Sequence, residues 1–79
     1  GLVVEITDAR NRHLDQVEKF RDYQLAGIPE YWIVDVDRRE VTFFVLSRQR
    51  YVRVMPDDAG RFRSRALKGF TFTPASLWS

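Results

Sequence analysis

The chain contains no cysteine and one histidine among its 79 residues. Disulfides are therefore excluded, and too few soft ligands remain for a structural zinc site. No apolar stretch approaches the roughly 20 residues that a membrane-spanning helix needs, and no basic segment followed by an apolar one indicates a signal peptide. We therefore expect one small domain over residues 1–79, located in the cytoplasm, where proteins without disulfides are the rule.

Acidic residues are missing from one part of the chain. The net charge is only +2, but no acid follows Asp58. The same segment carries Arg61, Arg63, Arg65 and Lys68. A basic segment of this kind can contact phosphates. Arginines that alternate with period two are also typical of the solvated face of a strand, and the residues alone favour that interpretation by about two to one.

Two apolar runs with a helix between them predict a βαβ unit. Leu2–Ile6 and Tyr31–Val36 are nearly continuous in apolar residues, which is typical of strands buried on both faces. Residues 13–26 lack glycine and proline and are rich in helix formers. Gly27 is well placed to end this helix, and Pro29 prevents its continuation. The two strands should therefore be parallel neighbours joined by a right-handed crossover.

The second half of the sequence predicts antiparallel strands. Val41–Leu46 and Tyr51–Met55 have the composition of a hairpin joined through Ser47–Arg50. Arg61–Ala66 is a candidate fifth strand. The fold class predicted is therefore α/β, with a βαβ unit followed by antiparallel strands.

Apolar residues recur at every third position of the predicted helix. They predict a flank that packs on the sheet and consist of Val17, Phe20, Tyr23 and Ala26. Lys19 lies four residues before Tyr23, so the two side chains are neighbours on the helix surface at the border of this flank.

Glu5 stands inside the first apolar run, 14 positions before Lys19. An ionised carboxylate among apolar neighbours costs free energy unless it is paired, solvated or bound to a metal. The strand–helix–strand order predicts that this acid and Lys19 lie near one end of a small sheet. Because Mg²⁺ prefers carboxylate and water oxygens, Glu5 is a candidate ligand. Lys19 is a candidate for stabilising negative charge on a phosphate.

Structural roles for these residues stay open from spacing alone. Glu5 could be a strand-end acid that faces water, and Lys19 could be an exposed helix lysine paired with Asp15. Structural charges are far commoner than catalytic ones, which favours these roles. Asp8 is a candidate second acid near Glu5, although capping of the loop or helix suits it better. Tyr23 is either a hydrogen-bonding residue near Lys19 or a core aromatic.

Motifs spread over nearly the whole chain point to a known family. They are Leu2–Ile6, Asp15, Glu18–Lys19, Tyr23, Ala26–Asp35, Glu40–Val41, Leu67–Phe70 and Leu77. With them the sequence resembles the Uma family of restriction-type endonucleases, which belongs to the PD-(D/E)XK nuclease superfamily. The block from Lys19 to Asp35 is the specific part of the resemblance, and the remainder is a generic strand pattern.

The resemblance implies a restriction-endonuclease-like mixed sheet and hydrolysis of a DNA phosphodiester by water. The reaction would depend on Mg²⁺ or Mn²⁺. Glu5 would match the family's second metal-binding acid, and Lys19 would be the counterpart of a superfamily lysine that has moved from the strand to the helix. Glu5 and Lys19 are thus the implied catalytic residues, with Glu5 as the metal ligand and with Asp8 and Tyr23 as accessory candidates.

The sequence departs from the family pattern at two places. The family's first metal acid lies on a strand that precedes Leu2, so the N-terminal part of the core is expected to be missing. The family usually has serine where this chain has Asp8. Because a single protein carboxylate is a poor Mg²⁺ site, we expect this chain to be the C-terminal portion of an endonuclease, inactive alone.

An uncovered sheet edge pairs readily with another chain, so a homodimer is expected. The competing interpretation is a non-catalytic module that binds nucleic acid or another protein through the open edge.

Overall fold

Strands dominate the architecture, and one α-helix packs on one face of the main sheet. The computed structural model describes residues 1–10 and 16–78. Among these residues, no helix combines the length and the apolarity needed to span a bilayer. The elements are, in chain order, β1 Leu2–Thr7, α1 Gln16–Leu25, β2 Glu30–Asp35, β3 Glu40–Ser47, β4 Arg50–Val54, β5 Phe62–Arg63, β6 Thr71–Phe72 and a 3₁₀ helix Pro74–Leu77.

The first four strands form one sheet in the order β1-β2-β3-β4. β1 and β2 are parallel, with Glu5 beside Ile33, whereas β3 and β4 are antiparallel to their neighbours. β5 and β6 form a separate antiparallel pair. The predicted α/β fold, with a βαβ unit followed by antiparallel strands, is confirmed. The predicted start of the helix near residue 13 lies outside the described residues.

The end of α1 is fixed by a local motif that the sequence predicted. Gly27 has φ +75°, and its N–H donates to the carbonyl oxygen of Gln24 at 3.1 Å. The N–H of Ile28 donates to the carbonyl oxygen of Tyr23, also at 3.1 Å. These two bonds define a Schellman motif, which requires a left-handed residue that glycine adopts without strain. The motif sets the direction in which the chain leaves α1 for β2.

Aromatic rings join α1 to the sheet. Phe20 contacts Tyr31, Phe44 and Tyr51, with ring centroids 6.5, 5.0 and 5.2 Å away. The pairs with Phe44 and Tyr51 are edge-to-face, the arrangement that the ring quadrupoles favour. One helical aromatic therefore anchors α1 over β2, β3 and β4.

A second aromatic cluster fills the opposite face of the sheet. Trp32 packs edge-on against Phe43 and Phe62, with centroids 5.2 and 5.6 Å away. Phe43 and Phe62 stack at 3.9 Å. Burying side chains of this size contributes roughly 1.5–3 kcal/mol each. Trp32 and Tyr31 are both buried, as expected for the start of a strand typical of burial on both faces.

A buried carboxylate fastens the C-terminal segment to the start of β2. Glu30 is 0% exposed and accepts hydrogen bonds from Trp32 Nε1 and Ser64 Oγ, both at 2.8 Å. The backbone N–H groups of Arg65 and Ala66 donate to its other oxygen at 2.8 and 3.2 Å. A carboxylate tolerates such burial only when donors satisfy it.

The β3–β4 turn places two residues in the left-handed region. Arg48 and Gln49 have φ values of 51° and 70°, and the flanking pair is Ser47 and Arg50. Positive φ at both central residues is the geometry of a type I′ turn, which favours asparagine and glycine. For other residues the left-handed conformation costs roughly 1–2 kcal/mol each.

The prediction that β1 is buried on both faces is wrong. β1 lies at one edge of the sheet, where only β2 pairs with it among the described residues. Ile6 is 70% exposed, and Val4 is also exposed. The aromatic cluster around Trp32 packs against Leu2 but leaves the side chains of Val4 and Ile6 exposed.

The predicted apolar flank of α1 is also wrong at two of its four positions. Val17 is 65% exposed, and Ala26 is exposed as well. The spacing i, i+3, i+4, i+7, i+8 defines one face of a helix, and the half-buried residues follow it. They are Gln16, Lys19, Phe20, Tyr23 and Gln24. Polar side chains thus occupy most of the face that α1 presents to the sheet.

Candidate active site

Glu5, Lys19 and Tyr23 meet between β1 and α1. Tyr23 OH donates a hydrogen bond to Glu5 Oε1 at 2.7 Å. Lys19 Nζ donates to Glu5 Oε2 at 3.1 Å and forms an ion pair with it. The strand supplies the acid, and one face of the helix supplies both donors, because residues four apart lie on adjacent turns.

The environment keeps Glu5 ionised near neutral pH. Partial burial raises the pKa of Glu5, but the hydrogen bonds from Tyr23 and Lys19 and the positive charge of Lys19 together outweigh it and hold this pKa below its usual value. The hydrogen bond to Glu5, together with burial, raises the pKa of Tyr23, which therefore remains a phenol that donates. The cluster thus combines a carboxylate, an amine and a neutral hydroxyl.

Solvent reaches this cluster from one side. The side chains of Glu5 and Lys19 are 21% and 40% exposed. An ion pair this open contributes little to stability, because water and salt screen it. Its accessibility suits a group that contacts a ligand.

Tyr31 forms the buried side of the cluster. Its ring lies edge-on to Tyr23, with centroids 5.1 Å apart. The residue is 0% exposed, and its hydroxyl has no hydrogen-bond partner within residues 1–10 and 16–78. Burial, followed by the charge of Glu5, strongly raises the pKa of Tyr31, so its hydroxyl stays protonated.

Asp8 occupies the loop after β1 and forms local contacts. Its carboxylate accepts a hydrogen bond from the N–H of Arg10 at 3.0 Å and pairs with the Arg10 guanidinium at 3.6 Å. Next to it, the N–H of Ala9 donates to Asp37 Oδ2 at 2.6 Å. These contacts match the loop-capping role that the sequence favoured for Asp8. The alternative pairing of Lys19 with Asp15 falls on a residue outside the described ones.

The chemistry of Glu5 suits one ligand of a hard divalent cation. Each carboxylate oxygen has two acceptor sites, and the hydrogen bonds from Lys19 and Tyr23 occupy one on each oxygen. Within the part of the chain that the structure describes, no group of three or more His, Cys, Asp or Glu residues is arranged to hold a metal ion. Mg²⁺ is commonly held by one or two carboxylates, with water and substrate phosphate completing the octahedron. Glu5 therefore fits as one such carboxylate.

Sequence reasoning missed two polar residues that hold elements of the fold together. Glu30 anchors the C-terminal segment, and Gln24 Oε1 accepts a hydrogen bond from the N–H of Tyr51 at 2.7 Å, tying α1 to β4. A signal for Glu30 existed, because an acid two residues from Trp32 shares its strand face. Gln24 lies four residues after Phe20, on the same side of α1. The i, i+4 spacing of Lys19 and Tyr23, applied to Phe20, would have identified it.

Comparison with known protein families identifies a match. The model of the Uma2 family, described as "Putative restriction endonuclease", matches residues 1–75. No curated protein matches the chain.

Proposed function

This chain belongs to the Uma2 family, and on that premise we propose that it is part of a metal-dependent endonuclease that hydrolyses phosphodiester bonds in DNA. Membership indicates a nuclease in general. The observation that carries the finer proposal is the contact of Glu5 with both Lys19 and Tyr23, at 3.1 and 2.7 Å. It joins an ionised acid to an amine whose side chain is 40% exposed to solvent.

Each residue has a role in the proposed reaction. Glu5 would hold Mg²⁺ or Mn²⁺ through a carboxylate oxygen; when bound, the cation would act as a Lewis acid on the phosphate and lower the pKa of a bound water. Lys19 would bind a non-bridging phosphate oxygen and stabilise the negative charge that builds as water attacks phosphorus and the bond to the leaving oxygen breaks. Tyr23 would hold the Glu5 carboxylate in its orientation, as hydrogen-bonding partners of metal ligands do.

The placement in the PD-(D/E)XK superfamily is part of this proposal. Glu5 would be the second metal acid, and Lys19 would replace a strand lysine. The 3.1 Å contact between Lys19 on α1 and Glu5 on β1 supports this substitution, because a helical lysine reaches the position beside the acid. We also keep the expectation that this chain alone is inactive, because Glu5 would be a lone carboxylate for the cation.

Plasmid cleavage by the product of the complete open reading frame tests the proposal. We expect nicking of supercoiled DNA with Mg²⁺ or Mn²⁺ and none with EDTA. Glu5→Gln and Lys19→Ala should each lower the rate by about 100-fold or more, and Tyr23→Phe by about tenfold. The matched control is Glu18→Gln, which neutralises an exposed acid on the same helix. Wild-type rates for both Glu5→Gln and Lys19→Ala would refute the site.

Self-association through β1 is a further part of the proposal. The outer edge of β1 has no strand partner among residues 1–10 and 16–78, and Val4 and Ile6 are exposed beside it. A second copy could add its β1 to this edge. The same edge is what a non-catalytic interaction module would use. Light scattering that finds only monomer at high concentration would contradict the dimer, and metal-dependent cleavage would contradict the module.

A further inference from the structure

We propose that one end of the sheet forms a second DNA-contacting surface, separate from the Glu5 cluster. The surface combines the β3–β4 turn with the loop after β5, and we call it the basic rim. The partner that we propose for it is duplex DNA, and this identity rests on the proposed function. The basic rim consists of Arg48, Gln49, Arg50, Arg65 and Lys68.

Register and hydrogen bonds place both parts of the rim at the same end of the sheet. Val45 lies opposite Glu30, the first residue of β2, so the turn that begins at Ser47 projects just beyond the start of β2. The N–H of Arg65 donates to the carboxylate of Glu30 at 2.8 Å. The loop that carries Arg65 and Lys68 is therefore held at the same strand end as the turn.

The rim lies apart from the candidate active site. Glu5 pairs with Ile33, three positions further along β2 than Glu30. Successive strand residues point to opposite faces, so Glu5 lies on the face that carries α1, whereas Glu30 lies on the other. Binding at the rim can therefore be disturbed without changing the contacts of Glu5.

The charges of the rim are available to a ligand. All of its residues are exposed. Because the alternate residues Phe62 and Ser64 are buried, the side chain of Arg65 faces away from the interior. The nearby Glu30 is fully buried and already accepts hydrogen bonds from neutral donors. None of the ion pairs found within the described residues involves the rim. A cationic, uncompensated surface of this kind attracts a polyanion.

The conformation of the turn points to base contacts. Arg48 and Gln49 both have positive φ, although asparagine and glycine fit such a turn without strain. Strained residues concentrate at functional sites. Arginine and glutamine are the side chains that pair with guanine and adenine edges, and a two-stranded ribbon fits the major groove. Arg48 and Gln49 would therefore reach bases, while Arg50, Arg65 and Lys68 contact phosphates.

The variant Arg48→Asn/Gln49→Gly separates stability from binding. It installs the favoured type I′ pair, so we expect the midpoint of urea unfolding to rise. Fluorescence anisotropy with a labelled DNA duplex, measured in EDTA to prevent cleavage, should show affinity about tenfold weaker than that of the wild-type chain. A more stable variant with unchanged DNA affinity would overturn the proposal.

Arg39→Gly is the matched control. Arg39 is also an exposed arginine with positive φ, 54°, but it lies in the β2–β3 turn at the opposite end of the sheet. Its replacement removes the same charge and relieves similar strain, so we expect a gain in stability with little loss of affinity. A loss equal to that of the rim variant would show that net charge alone drives binding, and the rim would be refuted.

Arg65→Ala/Lys68→Ala tests the phosphate contacts. The slope of log affinity against log salt should become shallower by about 2, one unit for each contact removed. An unchanged slope, or a wild-type chain that does not bind duplex DNA, would overturn the proposal, as would a loss of affinity confined to RNA or to an acidic peptide. Cleavage by Glu5→Gln at the wild-type rate would refute the active site only, so the two failures are distinguishable.

Discussion

Glu5 and Glu30 lie on opposite faces of the sheet, and the two glutamates are stabilised in different ways. Glu5 lies on the face that carries α1, is 21% exposed, and is bonded by an amine and a phenol. Glu30 lies on the opposite face, is fully buried, and is bonded by an indole, a hydroxyl and backbone N–H groups. Glu5 thus has a charged partner that water can reach, whereas the donors to Glu30 are all neutral.

This difference separates a site from a structural joint. Glu30 connects β2 to a segment 34 to 36 residues away, and its own side chain is closed to solvent. Glu5 connects β1 to α1 while leaving acceptor capacity and an open side. A carboxylate that keeps unused acceptor sites beside an accessible cation is suited to binding a phosphate or a metal ion.

The largest effect is expected from Glu30→Ala. Removing the carboxylate leaves Trp32 Nε1, Ser64 Oγ and two backbone N–H groups unsatisfied in the interior. We expect the free energy of unfolding to fall by about 3–5 kcal/mol, as measured by urea denaturation. Glu5→Ala should lower it by much less, because water can solvate its partners. Equal losses would erase the distinction between the two glutamates.

A smaller effect, of opposite sign, is expected from Tyr31→Phe. The hydroxyl of Tyr31 is buried without a partner among the described residues, so its removal should raise the free energy of unfolding by about 1 kcal/mol. Tyr51→Phe is the matched control, because Tyr51 OH donates to the carbonyl oxygen of Ile28 at 2.9 Å. That loss should destabilise by about 1 kcal/mol. Thermal unfolding of both variants tests the pair, and a destabilised Tyr31→Phe would show that its hydroxyl is satisfied.

The smallest effect is the pH dependence that Glu5 contributes. Because its pKa is lower in the folded chain than in the unfolded chain, its contribution to stability is complete above the ordinary glutamate pKa of about 4.3. The contribution disappears as the pH falls through the lower pKa of the folded state. The difference in unfolding free energy between wild type and Glu5→Gln should therefore be less than about 1 kcal/mol at neutral pH and vanish in acid. A difference that grows in acid would contradict the assigned shift.

Local patterns predicted the fold better than they predicted burial. Gly27 and Pro29 marked the end of α1 correctly, because a helix C-terminus is decided by a few adjacent residues. Val17 and Ile6 were assigned to buried surfaces and are exposed, because their burial depends on which elements cover them. Apolar character alone does not reveal that β1 is an edge strand.

The contact between Glu5 and Lys19 was predictable for a topological reason. A right-handed crossover returns α1 over β1 and β2, so an acid on β1 meets the sheet-facing side of the helix. Apart from Trp32, the partners of Glu30 were not predictable in the same way, because they come from a segment more than 30 residues later. Neither strand pairing nor periodicity specifies where such a segment lies.

The most direct test of the central claim is to measure cleavage rate and unfolding free energy together for Glu5→Gln in the complete gene product. We predict that the cleavage rate falls by about 100-fold or more, while the free energy of unfolding changes by less than about 1 kcal/mol. An unchanged cleavage rate, or a loss of cleavage that merely follows a loss of folded protein, would contradict the assignment of Glu5, Lys19 and Tyr23 as the active site.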